Sequence, residues 1–159
     1  MSEKHLRLMS NSPEETREIA RKIGSKLPAG TVIAARGDLG AGKTLFAGAL
    51  AQALGVTETV TSPTFIFFRE YQGRIPFAHV DAYRLEGLEE EEIALTGVDD
   101  ALTREKAAFV GWPDFIRDRL PASTVWLEIR RCPDNDTQRS LEFSYDDDKE
   151  AWLDEALGH

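Results

Sequence analysis

The chain has 159 residues and a formal charge of −9, from 28 acidic and 19 basic side chains. That length supplies one ordinary hydrophobic core, and the acidic balance opposes a broad nucleic-acid footprint, which needs clustered Lys and Arg to neutralise phosphates. The lone Cys132 excludes an internal disulfide, and with no apolar run of membrane-spanning length and no charged-then-apolar leader the expectation is a soluble cytoplasmic protein.

Leu6-Arg7-Leu8-Met9 alternates and predicts a short strand. Ser12-Pro13-Glu14-Glu15 then reads as a helix start, with Ser12 as cap, Pro13 in the first turn and Glu15 closing a capping box. Ile19, Ala20, Ile23 and Leu27 follow at helical spacing until Pro28-Ala29-Gly30 stops them. Thr31 to Ala35 predicts a strand, and Leu45 to Leu54, closed by Gly55, predicts a helix. Thr64 to Phe68 and Ile75 to Val80 read as two strands of an antiparallel hairpin turning at Gln72-Gly73. Leu88 to Leu95 is an acidic helix ended by Gly97, and Val98 to Leu102 a second short one. Ala107 to Val110 has the unbroken apolarity of a buried parallel strand. Val125 to Ile129 and Ser140 to Phe143 predict later strands, and Ala151 to Leu157 a terminal helix. Together these predict an α/β fold, a single domain over residues 1–159 with a mixed, partly parallel sheet flanked by helices, and the G-x-x-x-x-G-K-T spacing from Gly37 to Thr44 makes it P-loop NTPase-like.

Between the strand at 31–35 and the helix from Leu45 lies Gly37-Asp38-Leu39-Gly40-Ala41-Gly42-Lys43-Thr44, an ungapped match to the phosphate-binding pattern G-x-x-x-x-G-K-[ST]. Glycines let backbone N–H groups turn inward around phosphates where a side chain would block approach, and the following helix presents its positive dipole end. Lys43 is expected to reach the β- and γ-phosphates and the Thr44 hydroxyl to ligate Mg²⁺. The loop does not by itself choose a reaction. His79-Val80-Asp81-Ala82-Tyr83-Arg84 ends an apolar strand with an acid, as a metal-holding strand should. His79 has no His or Cys partner at ligand spacing and reads as a packed histidine. The runs Glu89 to Glu92 and Asp146 to Asp148 read as solvated faces.

Taken with Ser62-Pro63-Thr64-Phe65 and Trp112-Pro113, these motifs resemble the TsaE (YjeE) family of small bacterial ATPases that support synthesis of N6-threonylcarbamoyladenosine in tRNA. The resemblance covers nearly the whole chain. It implies ATP and Mg²⁺ as cofactors, a nucleotide-binding set of Asp38, Leu39, Gly40, Ala41, Gly42, Lys43, Thr44 and Leu45, a metal held by Thr44 and Asp81, and a magnesium-sensing role for Thr64. It also implies base contacts from the helix start at Ser12 and Pro13 and an arginine, Arg139, reaching ATP. The implied partners are the threonylcarbamoyl-transfer enzyme (TsaD) and its paralogue (TsaB), with no membrane and no direct binding of tRNA by this chain. One departure stands out. The family carries a glutamate just before the tryptophan, whereas this chain has Gly111, so the resemblance supports ATP binding more firmly than hydrolysis. Asp114, three residues on, is the candidate to replace it, with Lys43, Asp81 and Thr64 completing the catalytic set. A nucleotide-gated binding module with little turnover and a small-molecule kinase are the alternatives.

Overall fold

The computed structural model describes residues 3–38, 40–61, 67–146 and 150–158. Its first strand, β1 (Glu3–Ser10), leads into α1 (Pro13–Lys26), β2 (Val32–Arg36), α2 (Lys43–Ala53), β3 (Phe68–Gln72) and β4 (Pro76–Asp81). After them come α3 (Glu90–Leu95), α4 (Val98–Ala101), β5 (Ala107–Gly111), β6 (Val125–Cys132), β7 (Asn135–Asp146) and α5 (Ala151–Leu157). Among the described residues the strands join in one sheet of order β1-β7-β6-β2-β5-β4-β3. β2 pairs in parallel with β5 and β6, and β4 in parallel with β5. β1, β3 and β7 pair antiparallel. The fold is therefore the expected mixed α/β sheet, parallel at its centre.

Period-two alternation along the central strands divides the core between two faces. Ile33, Ala35, Phe77 and Phe109 point to the side covered by α1, α2 and α5, where they meet Ile23, Phe46, Leu50 and Leu153. Val32, Val80, Ala108 and Val110 point to the other side, covered by Leu85, Ile93, Val98 and Ile116. Buried on both faces, β5 exposes none of its residues, which is why its sequence is continuously apolar.

Several boundaries differ from the sequence reading. Of the hairpin strand expected at Thr64 to Phe68, residues 64–66 lie outside the described residues; the described ladder is Phe68–Gln72, in register from Phe68 opposite Val80 to Gln72 opposite Pro76. As an edge strand it buries only Tyr71, so its polar residues gave no strand signal. β6 and β7 are longer than their apolar stretches because their outer halves pair with each other as an exposed antiparallel ribbon. Two short 3₁₀ segments, Ala82–Leu85 and Pro113–Arg119, were not expected. Ser12 caps α1 as read, its Oγ accepting from the Glu15 N–H at 3.1 Å, but the Glu15 carboxylate accepts from the backbone N–H of Asn11 rather than of Ser12, so the expected capping box is not closed.

α1 and α2 pack at close range through Gly24. A Cβ there would sit 2.6 Å from the Leu50 carbonyl and 2.7 Å from the Ala53 methyl. The Arg74 guanidinium then donates to the carbonyls of Gly24 and Leu27 at 2.8 and 3.0 Å, satisfying the end of α1. Gly24→Ala should cost about 1–3 kcal/mol and lower the melting temperature by roughly 3–10 °C, read by thermal unfolding.

His79 is packed inside the sheet, 5 % exposed, with its ring edge-on to Phe109 at 5.7 Å between centroids. Burial pushes its pKa down to about 4, against the opposing pull of Asp81 and of a hydrogen bond to the Thr61 backbone. The unfolded chain takes up this proton near pH 6.5 and the folded chain only near 4, so the stability held by the neutral ring is complete above pH 6.5 and is lost as the pH falls towards 4. The loss is on the order of 2–3 kcal/mol. Urea midpoints between pH 7 and 4 should fall less steeply for His79→Gln than for the parent.

Candidate functional site

Parallel pairing brings the C-terminal ends of the central strands to one edge of the sheet. Gly111 ends β5 in register with Ala35 of β2 on one side and Asp81 of β4 on the other, while Arg36 lies opposite Glu128 of β6. The glycine loop leaves β2 at this edge. Gly37 passes so close to β6 that a Cβ would sit 2.7 Å from the Ile129 carbonyl. The Ala41 N–H donates back to the Asp38 carbonyl at 3.0 Å, closing the turn. Gly42, at φ 117°, starts α2 in a conformation that side chains avoid, with open space where a Cβ would be. No side chain caps this helix start, where the helix dipole presents its positive end. Leu39 lies outside the described residues.

Lys43 is the first residue of α2. Its ammonium is buried and has no hydrogen-bond partner among the described residues. It lies over the face of Trp112, 3.9 Å from the ring centroid. Burial holds its pKa below the ordinary lysine value, and the charges of Asp81 and Asp38 draw it partly back. Trp112 takes the left-handed conformation, φ 56°, alone among the described non-glycine residues. Strained backbone of this kind persists where surrounding structure enforces it. Here Tyr83 packs edge-on against the indole at 5.2 Å and Phe115 against Tyr83 at 5.8 Å. Trp112 is thus a wall of the site.

Asp81 ends β4 with one carboxylate oxygen accepting the Tyr83 N–H at 3.1 Å and the other 3.9 Å from Arg84 Nε. Thr44 is exposed on the first turn of α2. These two supply oxygen donors on either side of Lys43, the ligand type that Mg²⁺ accepts together with phosphate oxygens and water. Among the described residues no three His, Cys, Asp or Glu gather into a metal cage.

On the other flank of the loop, a groove of about 160 Å³ is bounded by Pro13 and Thr16 of α1, by Gly40, Gly42 and Leu45, and by Arg139 of β7. The Arg139 Nε donates to the Ala41 carbonyl at 3.1 Å, and its Nη1 donates to the carbonyls of Asp136 and Gln138. Arg139 therefore ties the loop to β7. Ser12 stands beside this groove only through its backbone neighbour, because its hydroxyl caps α1.

Asp114 sits in the 3₁₀ segment beyond Trp112 and is held by Arg36, whose Nε and Nη2 donate to its two oxygens at 3.0 and 2.8 Å. Arg117 lies 3.6 Å away. Arg36 holds the Asp114 carboxyl below its usual pKa. Thr64 and the segment 62–66 lie outside the described residues. The sequence reading missed Arg36 and the stacking of Trp112 on Lys43. Arg36 carried a signal, since it is the last residue of the strand that feeds the loop.

A family model described as "Threonylcarbamoyl adenosine biosynthesis protein TsaE" matches residues 10–141. The tRNA threonylcarbamoyladenosine biosynthesis protein TsaE of Bacillus subtilis (strain 168) is 36 % identical over 142 residues, covering 89 % of this chain and 86 % of that protein. The protein of the same name from Treponema pallidum (strain Nichols) is 32 % identical, covering 84 % and 97 %, and that of Streptomyces coelicolor is 45 % identical, covering 73 % and 79 %. The crystal structure of YdiB from Bacillus subtilis superposes with a TM-score of 0.78 at 30 % identity, covering 100 % of this chain and 98 % of that one. With a phosphate-loop α/β fold, a family match over most of its length and relatives of the same name on both sides of one-third identity, the chain belongs to the TsaE family.

Proposed function

We propose that this chain is an ATP-binding, ATP-hydrolysing accessory factor in the threonylcarbamoyladenosine modification of tRNA. Family membership supports the pathway. The observation that carries nucleotide binding is the buried ammonium of Lys43, which makes no hydrogen bond among the described residues, at the start of a helix that no side chain caps, in a loop whose Gly42 leaves the approach open. A buried cation at the start of a helix that no side chain caps fits a phosphate chain.

When bound, ATP with Mg²⁺ supplies the phosphoryl group to be transferred to water. Lys43 would meet the phosphate chain, the first turn of α2 would donate N–H groups to it, and Thr44 and Asp81 would hold the metal. The groove beside Pro13 and Leu45 admits the base, and Arg139 keeps the loop in shape by holding the Ala41 carbonyl. Thr64 would be the magnesium-sensing residue, and the partners would be the threonylcarbamoyl-transfer enzyme (TsaD) and its paralogue (TsaB). The chain works in the cytoplasm and reaches tRNA only through these partners, in keeping with its charge of −9.

Lys43→Ala should weaken ATP binding by about tenfold to a hundredfold with the fold intact, as loss of a charge-assisted contact requires. Calorimetric titration checks this. Thr44→Ala and Asp81→Asn should each flatten the magnesium dependence of the same isotherm. An unchanged response to magnesium in both variants would put the metal elsewhere.

Gly111 favours a second reading, a nucleotide-gated module with little turnover, because it offers no carboxylate at the sheet edge beside Asp81. Its backbone does not require glycine: its φ is not positive, and a Cβ would make an ordinary contact, 3.7 Å from the Val80 carbonyl. Gly111→Glu should therefore be tolerated and raise ATP turnover about tenfold or more, with little change in affinity. Asp114 has both oxygens committed to Arg36, which makes it a weak base and leaves Asp81 as the principal carboxylate. Asp114→Asn should keep the parent's residual turnover. Abolished turnover would instead assign water activation to Asp114.

A further inference from the structure

The strand order creates a second feature at the edge that carries the loop. From the end of β2 the chain runs through α2 to strands on one side of the sheet, whereas from β6 it turns into β7 on the other, and β2 and β6 are direct neighbours. Ligand crevices in open α/β sheets lie where such connections diverge. Here the divergence opens a hollow of about 390 Å³ between the ends of the two strands, of the size ligands occupy.

Arg36, Arg130 and Arg131 line it, a concentration of cations on a chain of charge −9. Arg36 gives Nε and Nη2 to Asp114, and Arg130 gives Nη2 to both oxygens of Glu128, at 2.7 and 2.9 Å. In both pairs Nη1 stays outside the bond, and the two-nitrogen fork on Asp114 fixes the plane of the Arg36 guanidinium. The hollow also shares walls with the nucleotide loop. Trp112 lines it while its ring receives the Lys43 ammonium, and Gly37, Asp38 and Ala41 belong to both. Arg131 reaches from the hollow to lie against Gly40.

We propose that this crevice is a second oxyanion site, taking inorganic phosphate on its way out from the position next to Lys43. This rests on the reading of the chain as an ATPase. Trp112 borders both the ammonium and the hollow, so a phosphate released at Lys43 lies next to a second set of N–H donors. Asp38, Asp114 and Glu128 balance the three arginines, so the anion is held weakly, at about 1 mM or above, as suits release.

The test is a titration of inorganic phosphate into the full chain with ADP and Mg²⁺, followed by phosphorus NMR line broadening. The expected result is saturable binding that Arg130→Met and Arg36→Met each weaken about fivefold or more while ADP affinity by calorimetry is unchanged. Arg130 is 64 % exposed at its side chain, so its replacement does not threaten the fold, and an unfolding midpoint checks Arg36→Met. Parent-like phosphate binding by both variants would overturn the inference, as would binding abolished by Lys43→Ala alone, which would put the phosphate in the loop. Failure of ADP to bind would count against the nucleotide reading only. The same arginine variants titrated without nucleotide would then decide the crevice.

Discussion

Withdrawing a lysine ammonium from water costs several kcal/mol unless charge or hydrogen bonds answer it. Lys43 is withdrawn and makes no hydrogen bond among the described residues. What it has is the face of Trp112, a contact worth about 0.5–2 kcal/mol, and the more distant charges of Asp81 and Asp38. The balance is unfavourable. Trp112 adds to it, because holding a bulky residue in the left-handed region costs on the order of 1–3 kcal/mol. The rest of the fold carries that deficit, and an anion arriving at the ammonium relieves it.

The means of carrying it is the parallel ladder. Alternation along β2, β4 and β5 buries large side chains on both faces, Phe77 and Phe109 to one side and Val80 and Val110 to the other. A ladder anchored on both faces cannot slip by one residue without turning every side chain over. Its register therefore fixes where Arg36, Asp81 and Gly111 end, and the loop, the carboxylate and the vacancy beside Trp112 follow from those endpoints.

Local chemistry made much of this readable in the sequence. The cap at Ser12, the unbroken apolarity of Ala107 to Val110 and the glycine spacing from Gly37 to Gly42 each impose one backbone outcome, and the structure has those outcomes. What was not readable depends on distant partners. Phe68–Gln72 is a strand because β4 lies beside it, not because of its own residues. The outer halves of β6 and β7 hold each other without apolar alternation. Nothing in the neighbours of Trp112 specifies a left-handed turn that swings the indole onto Lys43. Asp114 looked free to serve chemistry, and its pairing with Arg36, far away in sequence, emerges only when β2 and the 3₁₀ segment meet.

Gly24 brings the axes of α1 and α2 so close that no atom could be inserted between them, and Arg74 fastens the far end of α1. The first turn of α1 borders the groove beside the loop, and the first turn of α2 carries Lys43. Helices locked at such a distance cannot slide independently, because any shear drives backbone into backbone. That half of the site behaves as a fixed jaw. Whatever opens or closes around a ligand must then come from the opposite half, where Tyr83, Trp112 and Phe115 sit on short 3₁₀ turns and meet through ring edges rather than interlocked backbone.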